Sequence, residues 1–288
     1  MPDGLVVVDK AAGWTSHDVV AKLRGILGTK KVGHSGTLDP DATGVLLVGV
    51  GKVTRLLRFL TVLPKTYTGE IVFGVETSTL DSSGEVTARH QMDVTLDAAR
   101  SAVQSLTGEI LQVPPMVSAV QVGGKRLHDL ARQGIEVERD PRPVTVHTFT
   151  VEATDDPLVL RADVRCSSGT YVRTLAADLG NALGGGAHLR NLRRGAIGSF
   201  TLDEAKPIEA LSTDDVLPPA ALMRDYDSVI VGDAVATAIS HGKVLPPDTL
   251  GVDGEGPWAV LDETGALLAV YERRDGDSVK PAVVLGAA

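Results

Sequence analysis

The sequence predicts an α+β fold with a small β module at its C-terminal end. Segments with strand periodicity and segments with helical periodicity follow one another in an irregular order, whereas a doubly wound sheet needs repeated βαβ units. The composition turns acidic and Pro-rich around residues 217–219, which marks a boundary. We therefore expect a larger domain over residues 1–225 and a small module over residues 226–288, where alternating strands and a tight turn predict a β structure.

Apolar periodicity predicts the individual elements. Strands are expected at 5–8, 67–73, 117–122, 144–151, 158–166, 258–261, 266–271 and 279–285. Helices are expected from the cap Ser16 to Gly28, at 53–60, from Thr95 to 106, at 125–133 and at 170–183. A hydroxyl oxygen accepts a hydrogen bond from the first turn of a helix, which makes Ser16 a good N-cap, and Gly28 suits a helix end.

The composition excludes several classes of protein. Cys166 is the single cysteine of 288 residues, so neither an internal disulfide nor a cysteine-based zinc cluster can form, and a cytoplasmic location fits best. No apolar run approaches the roughly 18 residues that a membrane span needs, and no basic leader precedes the first strand. We therefore expect neither export nor insertion into a membrane.

Motifs for metals and common cofactors are missing from the sequence. None of the seven histidines forms a pair at i, i+4 or a cluster with the cysteine, which argues against zinc. A phosphate-binding glycine loop, a dinucleotide fingerprint and a serine nucleophile elbow are also missing. We expect no metal and no cofactor, so a carboxylate, Tyr, Arg or Lys side chain must carry the chemistry.

The charge is unevenly distributed along the chain. The formal net charge of −9 by itself argues against a polyanionic partner. However, residues 201–288 hold 16 acidic against 6 basic residues, whereas residues 1–70 hold 9 basic against 6 acidic and residues 112–200 hold 11 against 9. The two basic segments can face phosphates, so a nucleic-acid partner is compatible with the acidic total.

The most informative segment is the loop at residues 33–44, GHSGTLDPDATG, directly before the apolar run 45–48. Its glycines, including Gly36, permit positive φ, Pro40 fixes φ and removes a donor, and the hydroxyls can bond to the backbone. Such a loop can hold Asp39 rigidly, and a held carboxylate can act as a nucleophile or general base. The alternative is an ordinary Asx turn before a buried strand.

A second informative segment is CSSGTYVRTLAADLG at residues 166–180. It predicts the end of a strand, a sharp turn at Gly169, and a helix with Tyr171 and Arg173 in its first turn. An arginine beside Asp39 would favour the ionised carboxylate and orient it. The alternative is a surface arginine and a core tyrosine on an ordinary amphipathic helix.

Four motifs, in this order, resemble the TruB family of tRNA pseudouridine synthases, which act on uridine 55 in the T-loop. They are VDKxxGxTS at 8–16, GHxGxLDPxAxG at 33–44, CSxGTYVR at 166–173, and GAHxxxLRR with IGxF at 186–200. The resemblance implies the pseudouridine synthase fold, a central mixed, largely antiparallel sheet flanked by helices and loops. It also implies that the C-terminal module is a PUA-like β-barrel.

The resemblance further implies roles for individual residues. Asp39 would be the nucleophile that attacks a flipped-out uridine at the ribose or the base, while the detached uracil rotates and rejoins the ribose through C5. Tyr67 matches the tyrosine that stacks on the uracil and removes the C5 proton, although alternation alone also fits an ordinary strand aromatic. Arg173 would pair with Asp39, and Tyr171 and Leu192 would line and close the uracil pocket.

Other matches concern contacts with RNA. His34 matches a loop histidine that approaches the flipped nucleotide and its phosphate, with a structural turn histidine as the alternative. We also place Gly36 and Lys10 among the substrate-contacting residues, and for Lys10 we expect a role in shape or in a phosphate contact rather than catalysis. A segment within residues 117–150 resembles the insertion with which the family grips the T-loop.

The sequence departs from the family pattern in two places. Ala11 stands where the family usually has proline, which makes this loop less stiff. The acidic charge of residues 226–288 predicts little affinity for phosphates in the C-terminal module.

The predicted function is isomerisation of uridine to pseudouridine at position 55 of tRNA. We expect a monomer that binds the T stem-loop without a guide RNA. One alternative is a tRNA-binding and folding chaperone in which catalysis is secondary. Others are a nucleoside hydrolase, which would release free uracil, and a guide-dependent dyskerin-like enzyme.

Overall fold

A computed structural model describes residues 3–118, 120–274 and 277–285. The chain forms two compact units. Unit 1 comprises Met1–Pro40, Gly44–Val62 and Ile197–Ala288, and unit 2 comprises Asp41–Thr43 and Leu63–Ala196. This division does not follow the expected boundary at residue 226, and the assignment of residues 1–225 and 226–288 as two domains stays a prediction.

The strands of the described residues are numbered in chain order. They are β1 (Gly4–Lys10), β2 (Val32–His34), β3 (Thr43–Val50), β4 (Lys65–Phe73), β5 (Val75–Thr77), β6 (Val86–Arg89), β7 (Gly108–Gln112), β8 (Gln121–Val122), β9 (Lys125–Arg126), β10 (Arg142–Ala153), β11 (Val159–Cys166), β12 (Ala187–Ile197), β13 (Phe200–Thr201), β14 (Lys206–Pro207), β15 (Ser228–Ile230), β16 (Trp258–Leu261), β17 (Leu267–Arg274) and β18 (Ser278–Val284).

The helices are numbered in the same way. The α-helices are α1 (Ser16–Ile26), α2 (Leu57–Thr61), α3 (Leu96–Ser105), α4 (Leu127–Arg132), α5 (Val172–Ala182), α6 (Asp233–Ser240) and α7 (Pro247–Leu250). Short 3-10 helices occupy Gly51–Leu56, Ile208–Ala210, Thr213–Asp215 and Pro219–Met223.

The first part of unit 1 is built on the antiparallel pair of β1 and β3. The two strands pair from Gly4 opposite Val50 to Lys10 opposite Gly44. β14 lies parallel to β1, and β2 pairs with β3. Helix α1 packs on this sheet because its buried residues recur at helical spacing and join one core with the apolar side chains of the strands.

Helix α1 is capped by Thr15, so the expectation that Ser16 caps it was wrong. The Thr15 hydroxyl accepts a hydrogen bond from the Asp18 N–H, and the Asp18 carboxylate accepts one from the Thr15 N–H. This reciprocal capping box satisfies the first turn. The neighbouring Ser16 is fully buried, and its hydroxyl bonds elsewhere, to Leu38.

Unit 2 contains a sheet with the strand order β12-β4-β11-β10-β7. β11 lies antiparallel between β4 and β10, and β7 pairs antiparallel with β10. Burial alternates along β4, from Lys65 to Phe73, because successive side chains of a strand point to opposite faces of the sheet. Helix α3 packs against β10 and α5.

Within unit 1, strands β15 to β18 form a second sheet in that order, accompanied by α6 and α7. β15 runs parallel to β16, and the other pairs are antiparallel. Trp258 and Tyr271 face each other across β16 and β17 and are buried in a core of their own. The α+β class and a small C-terminal β module are confirmed, and a closed PUA-like barrel stays a prediction.

The elements around the insertion differ most from expectation. The strand expected at 117–122 was wrong over most of its length. Within the described residues of this range, only Gln121–Val122 form a strand, which pairs with Lys125–Arg126. Ala119 lies outside the described residues. The helix expected at 125–133 shortens to α4. Strands β7 and β12 were missed because polar residues interrupt their apolar pattern, and pairing with β10 and β4 stabilises them instead.

Candidate active site

The residues expected to form the site are divided between the two units. Unit 1 holds Lys10, His34, Gly36 and Asp39. Unit 2 holds Tyr67, Tyr171, Arg173 and Leu192.

Lys10 fixes the loop on the C-terminal side of Asp39. It ends β1 with only 1% of its surface exposed, and its Nζ donates hydrogen bonds to the carbonyls of Ala11 (3.0 Å), Trp14 (2.6 Å) and Pro40 (3.0 Å). The Pro40 carbonyl accepts a further bond from the Gly13 N–H at 2.9 Å. An ammonium has three donors, which favours the role of Lys10 in the shape of the loop. Its contact with substrate stays a prediction.

Ser16 fixes the loop on the other side of Asp39. Its hydroxyl accepts a hydrogen bond from the Leu38 N–H at 2.9 Å, and the Leu38 carbonyl lies 3.3 Å from the same hydroxyl. The Leu38 side chain is 3% exposed and anchors the loop in the core. The residues on both sides of Asp39 are thus bound by buried polar groups, which restricts the backbone that carries the half-buried carboxylate.

His34 lies at the end of β2 and is held by its own loop. Its Nδ1 accepts a hydrogen bond from the Gly36 N–H at 3.3 Å, so the neutral ring carries its proton on Nε2. The ring contacts His17 edge to face, with 5.4 Å between ring centroids. These contacts fix the orientation of the ring within the loop that carries Asp39, and the contact of His34 with RNA stays a prediction.

The glycines of the loop serve two different purposes. Gly44 adopts a φ of 103°, which side chains rarely tolerate, as expected for a glycine chosen for backbone shape. Gly33 was expected to permit positive φ as well, but it lies in β2 opposite Gly49, outside the set of positive-φ glycines. A Cβ atom at Gly33 would lie 3.3 Å from Leu57 Cδ1, so a side chain there would require Leu57 to move by a few tenths of an ångström.

Tyr67 lies in the middle of unit 2, on β4 opposite Val164 of β11. It is 8% exposed. Leu192 lies on β12, the other neighbour of β4, and the Leu192 Cα is 3.7 Å from where a Cβ at Gly69 would lie. The sheet therefore brings Tyr67 and Leu192 onto adjacent strands.

Arg173 is a buried guanidinium at the start of α5. Its Nη1 donates to the Thr79 carbonyl at 2.8 Å and lies 3.2 Å from Asp81 Oδ2, and its Nη2 donates to the Val117 carbonyl at 2.9 Å. The side chain is 6% exposed. Three acceptors from two chain segments thus orient one cation, and its pairing with Asp39 stays a prediction.

Asp81 is a partner of Arg173 that the sequence analysis missed. Its second oxygen, Oδ1, accepts hydrogen bonds from the Thr79 hydroxyl (2.6 Å), the Ser83 N–H (3.0 Å) and the Ser83 hydroxyl (2.5 Å). Oδ1 thus anchors the carboxylate to its own turn, and Oδ2 faces the Arg173 guanidinium. The segment TSTLDSSG offered turn chemistry as a signal, but nothing local to it indicates a cationic partner so distant in sequence.

A second buried cation group, also missed, lies near Tyr67. Lys65 occupies the same face of β4 and donates to the Leu63 carbonyl at 2.8 Å. Burial, and next the charge of Arg194, lowers the pKa of Lys65 to about 8. Opposite Lys65 in the sheet, burial raises the pKa of the Cys166 thiol to about 11, so this thiol is protonated and unreactive near neutral pH.

The described residues provide neither a cluster of metal-ligating side chains nor a membrane-spanning helix. Within residues 3–118, 120–274 and 277–285, no group of three or more His, Cys, Asp and Glu side chains is arranged to hold a metal ion. The helices in the same ranges are all too short or too polar to cross a membrane.

Comparisons of the sequence agree along almost the whole chain. Residues 24–172 match the TruB family pseudouridylate synthase N-terminal domain, and residues 173–223 match the tRNA pseudouridylate synthase B C-terminal domain. The tRNA pseudouridine synthase B of Thermobifida fusca (strain YX) is 44% identical over 99% of both chains. That of Mycobacterium tuberculosis (strain ATCC 25618 / H37Rv) is 41% identical over 98% of this chain and 95% of its own.

Solved structures share the fold at lower identity. An H/ACA RNP bound to a substrate RNA containing 2'-deoxyuridine gives a TM-score of 0.75 at 23% identity, over 99% of this chain and 85% of that one. A Cbf5-Nop10-Gar1 complex gives 0.75 at 25% identity, over 98% and 85%. With the family domains matched over residues 24–223 and full-length relatives above 40% identity, the chain belongs to the TruB family of pseudouridylate synthases.

Proposed function

We propose that this protein isomerises uridine to pseudouridine at position 55 in the T-loop of tRNA. The full-length relatives named tRNA pseudouridine synthase B support tRNA as the substrate. The observation that carries the proposal is the loop at residues 33–44, in which buried groups hold the residues on both sides of Asp39. A carboxylate held in this way suits covalent catalysis.

Asp39 is the nucleophile of this proposal. Its carboxylate attacks ribose C1′, or the base at C6, and the glycosidic bond from N1 to C1′ breaks. The uracil rotates and forms a new bond from C5 to C1′, Asp39 leaves, N1 gains a proton, and C5 loses one. Water must stay outside, because hydrolysis of the same bond would leave an abasic site, as in glycoside hydrolysis.

Tyr67 and Arg173 assist Asp39. The Tyr67 ring stacks on the flipped uracil, which contributes on the order of 1–3 kcal/mol and offsets part of the cost of flipping. Its phenolic oxygen accepts the C5 proton in the last step and gives up its own proton towards N1, so that the phenol is regenerated and the net transfer is from C5 to N1. Arg173 stabilises the ionised form of Asp39, and its bonds to Asp81 and to the Thr79 and Val117 carbonyls hold the guanidinium in place.

Recognition of RNA falls to groups outside the catalytic set. We assign contact with the nucleotide, or the shape of its site, to His34, Gly36 and Lys10. Tyr171 and Leu192 line the site. The insertion, within residues 117–150, grips the T-loop, because sequence-specific RNA recognition usually targets unpaired bases that can be splayed out. The protein acts in the cytoplasm, as a monomer and without a guide RNA.

The test is conversion of an unmodified tRNA transcript and of a bare T stem-loop. After incubation with the purified protein, pseudouridine is mapped by base-specific chemistry at single-nucleotide resolution. We expect one modified position, uridine 55, in both RNAs, and no free uracil. Activity only with an added guide RNA, release of uracil, or modification elsewhere would each contradict the proposal.

A further inference from the structure

Gln112, which lies outside the set of candidate catalytic residues, holds the start of helix α5. It is the last residue of β7, and 2% of its surface is exposed. Its Oε1 accepts a hydrogen bond from the Tyr171 N–H at 2.8 Å, and its Nε2 donates to the Tyr171 carbonyl at 3.1 Å. One side chain thus bonds to both backbone polar groups of Tyr171.

This contact lies at the start of α5 but is not a helix cap, because it bonds to Tyr171 itself and not to the N–H groups of the first turn. Tyr171 is the N-cap of α5, a position usually held by Ser, Thr, Asp or Asn, whose short polar side chains bond to the first turn. The phenol of Tyr171 makes no capping bond within the described structure. Gln112, 59 residues away in sequence, fixes the position instead. The location of Tyr171 therefore depends on the edge strand β7.

The chain that follows Gln112 contacts the same turn again. The Val117 carbonyl accepts the hydrogen bond from Arg173 Nη2. Gln112 and Val117 lie at the root of the insertion, and Arg139, on the returning arm, donates to the Pro114 carbonyl at 3.1 Å. The root of the insertion is thus bound at two points to the turn that carries Tyr171 and Arg173.

We propose that Gln112 is a positioning residue for pseudouridine formation. By fixing the Tyr171 peptide, it sets where the Tyr171 ring and the Arg173 guanidinium lie, and it links both to the root of the RNA-gripping insertion. This inference rests on the proposed function. Two hydrogen bonds to the N–H and C=O of one residue restrain both its distance and its orientation, as preorganised sites require.

The effect should appear in turnover rather than in binding. A displacement of about 1 Å at reacting groups can cost about 100-fold in rate. We therefore expect Gln112→Leu, which keeps the size of the side chain and removes both hydrogen bonds, to lower the single-turnover rate at saturating T stem-loop by about 10- to 100-fold. The dissociation constant of the RNA should change by less than about threefold, because the RNA-contacting residues remain.

Gln112→Glu makes the single-turnover rate depend on pH, an effect that a loss of packing would not produce. An ionised carboxylate at this position still accepts from the Tyr171 N–H but repels the Tyr171 carbonyl, whereas a protonated carboxyl can donate to it, as the carboxamide does. Burial raises the pKa of such a carboxyl. The rate of Gln112→Glu relative to wild type should therefore rise as the pH falls from about 8 to about 5.5, while the ratio for Gln112→Leu stays level.

Two control variants separate positioning from stability. Val144→Ala removes methyl groups from a buried residue of β10 that lies opposite Ile110 of β7, whereas Gln112 lies opposite Arg142. Gln104→Ala truncates an exposed glutamine on α3. Melting temperatures of all variants are measured beside the rates, and we expect both controls to retain the wild-type rate within about twofold.

Each outcome decides the proposal. A large loss of rate in Gln112→Leu, with RNA binding retained and a pH-dependent rescue in Gln112→Glu, supports it. Three results would overturn it. The Gln112→Leu rate stays within about twofold of wild type, or Val144→Ala loses as much rate at an equal drop in melting temperature, or the Gln112→Glu rate relative to wild type does not change with pH. If Gln112→Leu does not fold, the pH dependence of Gln112→Glu alone decides. A wild-type protein without activity would contradict the proposed function instead.

Discussion

The Lys10 ammonium lies 3.0 Å from the Pro40 carbonyl oxygen, next to the proposed nucleophile Asp39. The two residues are 30 positions apart, and the ammonium is buried between three backbone carbonyls. Burying a charge is costly unless hydrogen bonds satisfy it, and here three carbonyls satisfy the ammonium while it holds their loop rigid. Catalysis by a carboxylate requires such rigidity, because the attacking oxygen must meet its target in one geometry.

Replacement of Lys10 by Met should loosen the loop. Three carbonyls lose a charged donor, at a cost of about 1.5–3 kcal/mol in unfolding free energy, and turnover should fall at least about tenfold. Urea unfolding and single-turnover rates measure both effects. Lys22→Met, on the exposed face of α1, is the matched control and should change neither. Equal behaviour of the two variants would contradict the assigned role of Lys10.

Asp39→Asn should abolish turnover and leave RNA binding nearly intact. An amide is a poor nucleophile, yet it keeps the size of the side chain. Release of tritium from 5-tritiated uridine in T-loop RNA measures turnover, and a binding titration measures affinity. The neighbouring Asp41, which is exposed, provides the control Asp41→Asn, with activity expected within about twofold of wild type. Turnover by Asp39→Asn would exclude Asp39 as the nucleophile.

Asp81→Asn should lower turnover through Arg173. The substitution removes the Asp81 carboxylate from a buried guanidinium and leaves the two carbonyl acceptors, which should cost about 3 kcal/mol of unfolding free energy and at least about tenfold in rate. Glu85→Gln removes a nearby exposed carboxylate from the same hairpin and is the control. The idea fails if both variants turn over at the wild-type rate.

Tyr67→Phe should separate stacking from proton transfer. A phenylalanine ring keeps the proposed stacking, so RNA binding should persist. The hydroxyl proposed to take the C5 proton is gone, so turnover should fall by at least about 100-fold. Tyr67→Ala should also weaken binding, by on the order of 1–3 kcal/mol. Pre-steady-state kinetics and binding titrations distinguish the two losses. Full activity of Tyr67→Phe would rule out the hydroxyl as the final base.

The buried Lys65 predicts how stability changes with pH. Its pKa in the folded protein is about 8, below its ordinary value of 10.5, so between these values the unfolded chain binds more protons and stability rises with pH. The Cys166 thiol has the opposite effect, because burial raises its pKa from 9.0 to about 11. Between these pH values the folded protein binds more protons than the unfolded chain, so stability falls as the pH rises. We therefore expect the free energy of unfolding of Cys166→Ala to increase by about 1–3 kcal/mol as the pH rises from 8 to 10.

The same experiment contains its own control. Adding Lys65→Met to the Cys166→Ala background should remove most of the increase in unfolding free energy between pH 8 and 10, since the titrating ammonium is gone. Urea unfolding at several pH values, with the slope of the transition checked for constancy, gives the free energies. A gain that persists in the double variant would assign it to another group.

Sequence reasoning succeeded where the signal is local. The run Leu5–Val8, the alternation of β4 and the helical spacing of α5 each predicted an element that the structure confirms. It failed at Ser16, because two adjacent hydroxyls compete for one cap and only the contact with Leu38 decides between them. It also failed at β7 and β12, whose polar residues obscure the strand period until neighbouring strands pair with them.

The sequence by itself determined the family, the identity of the proposed nucleophile and the loop chemistry around it, because glycine, proline and hydroxyl residues act on their own backbone. Only the tertiary structure showed that Lys10 and Ser16 hold this loop, that Asp81 faces Arg173, and that Gln112 holds Tyr171. The residues of these pairs are far apart in sequence, from 22 positions for Ser16 and Leu38 to 92 positions for Asp81 and Arg173. Such contacts form through packing and burial, which no local pattern encodes.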